Sequence, residues 1–384
     1  MRVLFWGTPD FACPPLRALL GEGYDVVGVV TQPDKPQGRS RSVLVPSPVK
    51  VIAEEEGLPV LQPEKPRGDD FERALRSLAP DLSVVVAYGH LLPTSVIDLP
   101  PLGTLNIHAS LLPRWRGAAP IQAALLAGDA DTGISIMRMV KRMDAGNVLL
   151  QVPTPILDDE TYGELQLRLS ELGALAIVEA LTLLSLGPVT EVPQDEALVT
   201  FASKVEREQA QVDWTQDGHA VSRRIRAYDP RPGAFTIHRG LDVKLYGVRV
   251  AMDAQGEPGT VLGIDESGML VACGAGRRAH RLRAPSRQAP ARLARLGAGT
   301  RHRRGRRPRD RGVTVQERVR RSFARQSFMA HLGAAVQRVA PGLVEITVSR
   351  NDALLRQHGF LHAEARRSPW TARCRASSPP CRGA

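Results

Sequence analysis

Three polar side chains alternate along one short segment of the chain. Asn106, His108 and Ser110 occupy every second position at the start of the segment 106–113, NIHASLLP. Residues two apart in a β-strand point to the same face, so we expect these side chains to share one space at the end of a strand. An amide that donates to an oxyanion and an imidazole that accepts a proton from an amine could together move an acyl group onto that amine.

A carboxylate further along the chain completes this candidate group. Asp144 precedes Ala-Gly in a predicted turn between two strands, from which its side chain could reach His108. A carboxylate beside a histidine orients the ring and stabilises its protonated form. Two alternatives stay open: Asp144 caps its own turn, or Ser110 is a nucleophile, although no Gly-x-Ser-x-Gly segment is present.

The elements that must position these residues alternate between strands and helices. Continuous apolar runs, typical of buried parallel strands, lie at 2–7, 26–30, 82–89 and 103–108. A longer segment at 161–181 has strong helical periodicity. This alternation predicts a doubly wound, Rossmann-like α/β domain over residues 1–187.

Beyond this domain the pattern changes several times. A Pro-rich polar linker at 188–203 leads to short strands separated by Gly and Pro turns, which predict a small β-barrel of the OB-like type. We assign this second domain to 204–300 and expect its strand pattern to be disrupted after about residue 276, where an arginine-rich, aperiodic stretch begins. The remainder is interpreted as an Arg-rich linker, a folded segment with an amphipathic helix and a strand, and a disordered tail, at 301–312, 313–363 and 364–384.

Two loops near the start of the chain are candidates for binding an anion. The glycine turn at 7–11 could hold a phosphate at a helix N-terminus, but it has neither a dinucleotide fingerprint nor a Walker A lysine, so a plain tight turn is favoured. The long loop 31–50 follows the second strand and should lie at the carboxyl edge of the sheet, where α/β proteins bind ligands. Its Arg39 and Arg41 predict a flap that meets an anionic partner, and a solvated surface loop is the alternative.

Charge is distributed unevenly along the chain. Residues 277–384 hold 26 arginines, no lysine and 5 acidic residues, for a net charge of +21, whereas residues 1–276 carry a net charge of −10. A basic tail on an acidic body is one form of nucleic-acid-binding arm. The same all-arginine usage arises when a GC-rich gene is read in the wrong frame, and we favour two adjacent genes joined in this way over a natural fusion.

Composition argues against several other classes of protein. No stretch of about 18 or more apolar residues is present, which predicts that no segment spans a membrane. The N-terminus has no signal-peptide segment, which predicts a cytoplasmic protein. The four cysteines are scattered without the spacing of a metal site, so we interpret them as reduced thiols.

Ordered motifs over most of 1–276 resemble those of the methionyl-tRNA formyltransferase family. They are GTPDF at 7, VVGVVTQPDKPQGR at 26, NIHASLLPRWRGAAPIQ at 106, MDAG at 143 and RRIRAYDPRPGAF at 223. The Asn-x-His-x-Ser-Leu-Leu-Pro motif with a later Asp is common to 10-formyltetrahydrofolate transferases, so it indicates formyl transfer without specifying the acceptor. The sequence after this motif, the 31–50 loop and the second-domain motif point to tRNA as the acceptor.

The resemblance implies roles for individual residues. Asn106, His108 and Asp144 would be catalytic, and Arg39 and Arg41 would contact the acceptor end of the tRNA. The folate site would be lined by four consecutive residues, Ser110, Leu111, Leu112 and Pro113. The implied reaction transfers the formyl group of 10-formyltetrahydrofolate to the α-amine of methionine on initiator tRNA, in a monomer that needs no metal.

Other functions stay open beside this reaction. A formyltransferase that acts on a nucleotide sugar or a purine precursor would share the central motif. A non-catalytic nucleic-acid-binding protein would depend on the basic tail. The segment 313–363 also resembles the opening of a small hotdog-fold thioesterase through its QHG stretch at 357, although it lacks the remaining strands and the carboxylate of such enzymes.

Overall fold

The computed structural model describes residues 1–37, 43–252, 256–265, 268–274, 278–283, 334–340, 343–348 and 370–375. The chain forms two compact units, Met1–Gly299 and Thr300–Ala384. The first unit contains a seven-stranded and a five-stranded sheet together with two smaller strand pairs, and the second contains a three-stranded sheet.

Strands and helices alternate through the first half of the chain. The strands are β1 (Arg2–Gly7), β2 (Asp25–Val30), β3 (Lys35–Gln37), β4 (Val43–Val45), β5 (Val60–Leu61), β6 (Leu82–Val86), β7 (Thr104–His108), β8 (Arg116–Gly117), β9 (Asp131–Arg138) and β10 (Val148–Pro155). The helices are α1 (Cys13–Gly21), α2 (Pro48–Glu55), α3 (Asp69–Ser77), α4 (Thr94–Ile97), α5 (Pro120–Ala127) and α6 (Tyr162–Leu186). The large sheet has the order β10-β9-β7-β6-β1-β2-β5. It is parallel from β7 to β5, and β9 and β10 join antiparallel at one edge.

The parallel strands are apolar because both faces of this sheet are covered. Alternate residues of β1 enter different cores: Phe5 packs with Leu16 of α1 and Ile177 of α6, whereas Trp6 packs with Leu75 of α3. A strand that is buried on both sides is apolar without interruption, which is the pattern that β1 shows. The predicted doubly wound α/β fold is confirmed.

The long helix α6 begins at a capping box. The hydroxyl of Thr161 accepts a hydrogen bond from the backbone N–H of Glu164, whose carboxylate accepts one from the backbone N–H of Thr161. Among the described residues, α6 is the one helix long and apolar enough to cross a membrane by length and composition. Glu171 and Glu179 interrupt its apolar residues, and the absence of a membrane-spanning segment stays a prediction. Leu165, Leu169 and Ile177 of α6 lie in the core of the domain, which accounts for its apolar composition.

The five-stranded sheet follows a linker that contains the short strand β11 (Phe201–Ala202), paired parallel with β8. The helix α7 (Gly218–Ala227) precedes the sheet. Its strands are β12 (Ala234–His238), β13 (Leu241–Met252), β14 (Val261–Asp265), β15 (Gly268–Cys273) and β16 (Arg278–Arg283). The strands form one antiparallel sheet in the order β12-β13-β16-β15-β14. Val221 and Ile225 of α7 pack with Phe235 and Val271 in its core, so the second domain has an apolar core of its own.

Some strands lie where the sequence predicts none. β16 lies beyond residue 276, the predicted limit of the strand pattern, and pairs with both β13 and β15. In the second unit, β17 (Ala334–Ala340), β18 (Leu343–Val348) and β19 (Trp370–Arg375) form an antiparallel sheet in that order. Of these, β18 is predicted and β17 is not, and β19 lies within the predicted tail 364–384, whose other residues lie outside the described part of the chain. Strands pair through hydrogen bonds between backbone groups. An arginine-rich composition therefore gives no indication of whether a segment pairs as a strand.

Candidate active site

The candidate site lies at the carboxyl end of β7, where the parallel part of the sheet meets its antiparallel edge. β7 ends at His108, whose side chain is buried, and Asn106 two residues earlier is half-buried. Alternate residues of a strand share a face, so the two side chains lie on the same side of the sheet. Open α/β sheets bind their ligands at the carboxyl ends of the strands, and a substrate at this edge could meet both groups.

The imidazole of His108 has an oxygen atom near each of its two nitrogens. Nε2 lies 2.9 Å from the backbone carbonyl oxygen of Trp115, and Nδ1 lies 3.7 Å from Oδ2 of Asp144. A carbonyl oxygen can only accept a hydrogen bond, so Nε2 carries a proton. In the neutral ring, Nδ1 therefore has a lone pair that can accept a further proton.

Asp144 reaches the histidine from a tight turn between β9 and β10. Its φ of 48° lies in the left-handed region, which is uncommon for residues other than glycine but which aspartate and asparagine adopt more often than most. Gly146 has no room for a side chain, because a Cβ there would overlap the carbonyl oxygen of Arg138. Oδ2 of Asp144 accepts a 2.8 Å hydrogen bond from the backbone N–H of Gly117. This oxygen therefore bonds to the short strand β8, in contrast to the alternative in which Asp144 caps its own turn.

Trp115, whose carbonyl oxygen accepts the hydrogen bond from His108, is itself fixed by several contacts. Trp115 has a φ of 60°, and its backbone N–H donates a 2.9 Å hydrogen bond to the hydroxyl of Thr200. Its indole N–H donates to one oxygen of Asp129 over 2.7 Å. The guanidinium of Arg114 lies over the indole ring and donates to the other oxygen of Asp129. No residue-type pattern in the sequence indicates this support, because the group that contacts His108 is a backbone atom.

The alternation that the sequence predicts for Asn106, His108 and Ser110 ends at His108. Ser110 lies beyond the strand and is fully buried, and its hydroxyl donates a 2.6 Å hydrogen bond to the carbonyl oxygen of Arg114. His108 bonds to the carbonyl of the next residue, Trp115, so both side chains contact the same short segment. That Ser110 shares one space with Asn106 and His108 stays a prediction. A carbonyl oxygen is not a general base, so this contact does not favour the nucleophile alternative.

The remaining candidates for the folate site differ in exposure. Leu112 is buried in a small apolar cluster with Met137 and Val148. Leu111 and Pro113 are half-buried. Of these three side chains, Leu111 and Pro113 are thus the ones with surface left for a ligand.

Arg39 and Arg41 lie outside the described residues. On either side of them, β3 and β4 pair antiparallel, so the loop 31–50 contains a hairpin. The loop ends in α2, where the hydroxyl of Ser47 accepts a hydrogen bond from the backbone N–H of Lys50 as an N-cap.

A charged pair lies at the base of this hairpin. Nζ of Lys50 donates a 2.7 Å hydrogen bond to Oδ2 of Asp34, and the amide of Gln62 donates one of 2.7 Å to Oδ1. The hydrogen bond from Lys50, followed by that from Gln62, holds the pKa of Asp34 below its usual range. The segment that precedes the hairpin is thereby tied to α2 and to the segment after β5.

Family models match two regions of the chain. The model described as "Formyl transferase" matches residues 1–181, and "Formyl transferase, C-terminal domain" matches residues 204–288. Among curated proteins, the chain is 47% identical over 276 residues to the methionyl-tRNA formyltransferase of Geotalea daltonii, covering 72% of this chain and 88% of that protein. It is 47% identical over 277 residues to that of Marinobacter nauticus, covering 72% and 89%.

Solved structures with lower identity share the fold. HypX from Aquifex aeolicus aligns with a TM-score of 0.56 at 21% identity, covering 77% of this chain and 47% of HypX, so the chain spans about half of that protein. The sugar 3N-formyl transferase WlaRD aligns with a TM-score of 0.55 at 14% identity, covering 74% of this chain and 98% of WlaRD. These identities support a common fold and nothing narrower.

The fold and the two matched domains define a formyl transferase, an enzyme that transfers a one-carbon acyl group. The second match ends at residue 288 and so includes β16, which lies beyond the predicted disruption. With 47% identity over most of a curated relative, the chain belongs to the methionyl-tRNA formyltransferase family.

Proposed function

We propose that the chain transfers the formyl group of 10-formyltetrahydrofolate to the α-amine of methionine esterified to initiator tRNA. The group formed by Asn106, His108 and Asp144 at the carboxyl end of β7 carries the proposal. The names of the two curated relatives support the tRNA acceptor. HypX, which shares the fold, has been solved in complex with tetrahydrofolic acid, and this supports a folate donor.

The reaction requires one new bond, one broken bond and one proton transfer. The methionine nitrogen attacks the formyl carbon and forms a C–N bond, which turns the formyl oxygen into an oxyanion. The amide of Asn106 donates a hydrogen bond to this oxyanion, and Nδ1 of His108 accepts the proton of the attacking nitrogen. The bond from carbon to N10 then breaks, the proton passes to N10, and tetrahydrofolate and formylated Met-tRNA leave.

Asp144 assists the proton transfer through its charge. Nδ1 of His108 lies 3.7 Å from Oδ2, longer than a hydrogen bond, so its lone pair is available to a substrate proton. After Nδ1 is protonated, the ring carries a positive charge that the neighbouring carboxylate stabilises. Nε2 remains bonded to the Trp115 carbonyl and keeps the ring oriented throughout.

The contacts with both substrates follow from the family resemblance. We assign the folate site to the segment Ser110, Leu111, Leu112 and Pro113. Since the side chains of Ser110 and Leu112 are buried, the backbone and the side chains of Leu111 and Pro113 are the groups offered to the folate. Arg39 and Arg41 are assigned to the acceptor end of the tRNA, whose phosphates attract arginine.

A domain plan and a cellular setting complete the proposal. Residues 1–187 form the catalytic domain, 188–203 the linker and 204–300 the tRNA-binding domain, in a cytoplasmic monomer. The reaction as written uses no metal, and no group of three or more metal-ligating side chains occurs among the residues that the structure describes. The resemblance of 313–363 to a hotdog-fold thioesterase remains a prediction.

A different formyl acceptor is less well supported. Sugar formyl transferases share the fold at 13–14% identity, whereas the relatives from Geotalea daltonii and Marinobacter nauticus, each 47% identical, are methionyl-tRNA formyltransferases. Fold likeness alone does not select an acceptor.

The test is a formylation assay with the full chain. Initiator Met-tRNA and 10-formyltetrahydrofolate are the substrates, and formylmethionine released from the tRNA is quantified by chromatography. A nucleotide amino sugar and a glycinamide purine precursor are offered in parallel reactions. Formylation of Met-tRNA above the rate with either small amine is expected, and formylation of a small amine alone would reject the proposed acceptor.

A further inference from the structure

The linker between the two domains is bound to the candidate active site along its length. Val192 and Val148 exchange two backbone hydrogen bonds of 2.9 Å, next to the Asp144 turn. The hydroxyl of Thr200 accepts a 2.9 Å hydrogen bond from the backbone N–H of Trp115. The carbonyl oxygen of Thr200 accepts another, also of 2.9 Å, from the backbone N–H of Arg116. The sequence presents this segment only as a polar spacer, but its backbone is part of the structure around His108 and Asp144.

Gln194 makes the most direct contact from this linker to the Asp144 turn. Its Nε2 donates hydrogen bonds of 2.8 Å to the carbonyl oxygen of Asp144 and 2.7 Å to that of Gly146. Its Oε1 accepts a 2.9 Å hydrogen bond from Nε of Arg116. The reversed amide would place an oxygen against two carbonyls and an NH₂ against a guanidinium, so the three partners determine its orientation.

Arg116 makes this orientation rigid. Its side chain is 1% exposed, and Nη2 donates a 3.0 Å hydrogen bond to Glu196, two residues after Gln194. The planar guanidinium presents its donors in a fixed geometry, so the bond to Glu196 directs Nε at the glutamine oxygen. The opposite end of the amide is then directed at the Asp144 turn.

The turn itself depends on such external support. Asp144 has a φ of 48°, and Gly146 packs directly against the carbonyl of Arg138. A non-glycine residue in the left-handed region persists only where its surroundings hold it there. Gln194 bonds the carbonyls on both sides of Ala145 and thus bridges the turn that presents the carboxylate to His108.

We propose that Gln194 is a positioning residue for formyl transfer, acting through Asp144. This inference rests on the proposed roles of His108 and Asp144. Losing the two amide donors would let the turn shift and move the carboxylate away from Nδ1 of His108. Displacements of about 1 Å at a catalytic group can lower a rate by roughly 100-fold.

The test uses the full chain with Gln194→Met, Gln194→Glu and the matched control Gln216→Met. Methionine keeps the length of glutamine but donates no hydrogen bond, whereas glutamate keeps the contact with Arg116 and places an anion against the two carbonyls. Gln216 is exposed and bonds to Asp213 in the second domain. We expect kcat to fall roughly 10- to 100-fold in both Gln194 variants, with KM for Met-tRNA within about twofold of the unmodified chain, and no change in the control.

A double-mutant cycle with Asp144→Asn separates positioning from general loss of structure. If Gln194 acts through Asp144, Gln194→Met causes no further loss of kcat in the Asp144→Asn background. An equal loss in both backgrounds, or an unchanged kcat in Gln194→Met, would overturn the inference. If Gln194→Met fails to unfold cooperatively, Gln194→Glu takes its place in the cycle. A fully active Asp144→Asn enzyme would instead reject the role proposed for Asp144 itself.

Discussion

His108 donates its Nε2 proton to the backbone carbonyl of Trp115 across 2.9 Å. This contact fixes which nitrogen is protonated in the neutral ring and leaves Nδ1 beside Asp144 as the acceptor for a substrate proton. Trp115 is seven residues from His108 in the chain, and it lies in a loop that Thr200 and Asp129 hold from elsewhere. The chemistry of the histidine therefore depends on a loop outside the strand that carries it.

Removal of the proposed oxyanion donor should lower the rate without unfolding the protein. We expect Asn106→Ala to reduce kcat by about 10²–10³-fold, since a single oxyanion donor contributes roughly 2.7–4 kcal/mol. Asn147→Ala, at an exposed position after the Asp144 turn, is the matched control. Single-turnover formylation and thermal unfolding should be measured together, and an Asn106→Ala enzyme as fast as the control would refute the assignment.

Removal of His108 should lower the rate of formyl transfer by more than any loss of stability accounts for. We expect His108→Ala to fold and to lose formyl transfer by about 10²–10⁴-fold, the usual contribution of a general base. The same variant should bind Met-tRNA with little change, because His108 is buried at the end of β7. Rates and tRNA binding can be measured on one preparation; weaker binding that accounted for the whole loss would argue against a role in proton transfer.

Asp129 should influence the reaction although it does not touch His108. Asp129→Ala removes the acceptor of both the Trp115 indole and the Arg114 guanidinium, so the Trp115 carbonyl is less firmly held. We expect kcat to fall by roughly tenfold and the free energy of unfolding to fall by about 1 kcal/mol, the usual contribution of a hydrogen bond, because the Trp115 indole is half-buried and Arg114 is exposed. Asp131→Ala, at an exposed position nearby, serves as control. A stability loss with unchanged kcat would show that Asp129 supports only the fold.

Because β16 lies between residues 276 and 299, we expect chains that end at these two positions to differ in the stability of the second domain. A chain that ends at residue 276 lacks the strand that joins β13 to β15, so its second domain should lose protection of the backbone amides in both neighbouring strands. A chain that ends at Gly299 keeps β16 and the whole first compact unit. We expect the longer chain to retain formylation and the shorter to lose it. Hydrogen exchange monitored by mass spectrometry tests the sheet, and equal protection in both chains would contradict this prediction.

The N-cap of α7 should make the second domain sensitive to acid. The carboxylate of Asp217 accepts hydrogen bonds from the backbone N–H groups of Ala220 and His219. The bond from Ala220 is the main reason that the pKa of Asp217 is below its usual range. A lowered folded-state pKa adds stability above the unfolded-state value, which is lost as pH falls through the folded-state value.

Two substitutions at this cap check that sign. Asp217→Ala should lower the free energy of unfolding by about 1 kcal/mol at neutral pH, and the difference from the unmodified chain should shrink on acidification. Asp217→Asn keeps the cap without a titrating group, so it should retain most of the stability near neutral pH and lose the pH dependence. Denaturant unfolding at several pH values measures both. A deficit in Asp217→Ala that stays constant down to pH values below the usual Asp range would contradict the prediction.

Local pattern was sufficient for much of the architecture. The apolar runs at β1, β6 and β7 reflect burial on both faces of a sheet, and the alternation of Asn106 with His108 reflects strand geometry. Strand geometry does not extend to Ser110, because the strand ends two residues earlier, and the partner of its hydroxyl, the carbonyl of Arg114, is a backbone atom that the pattern does not identify. Local pattern also did not indicate β16 and β19, whose arginine-rich composition says nothing about the pairing of backbone groups.

By itself, the sequence determined the fold class, the strand that carries Asn106 and His108, and the family to which the chain is similar. Only the tertiary structure decided which backbone carbonyl receives His108, which nitrogen remains for a substrate proton, and how Gln194 reaches the Asp144 turn. The physical reason is range: side-chain periodicity is set by neighbours within a few residues. The hydrogen bonds that decided these points join side chains to backbone carbonyls 7 to 50 residues away, and every residue carries such a carbonyl, so no residue-type pattern identifies the partner.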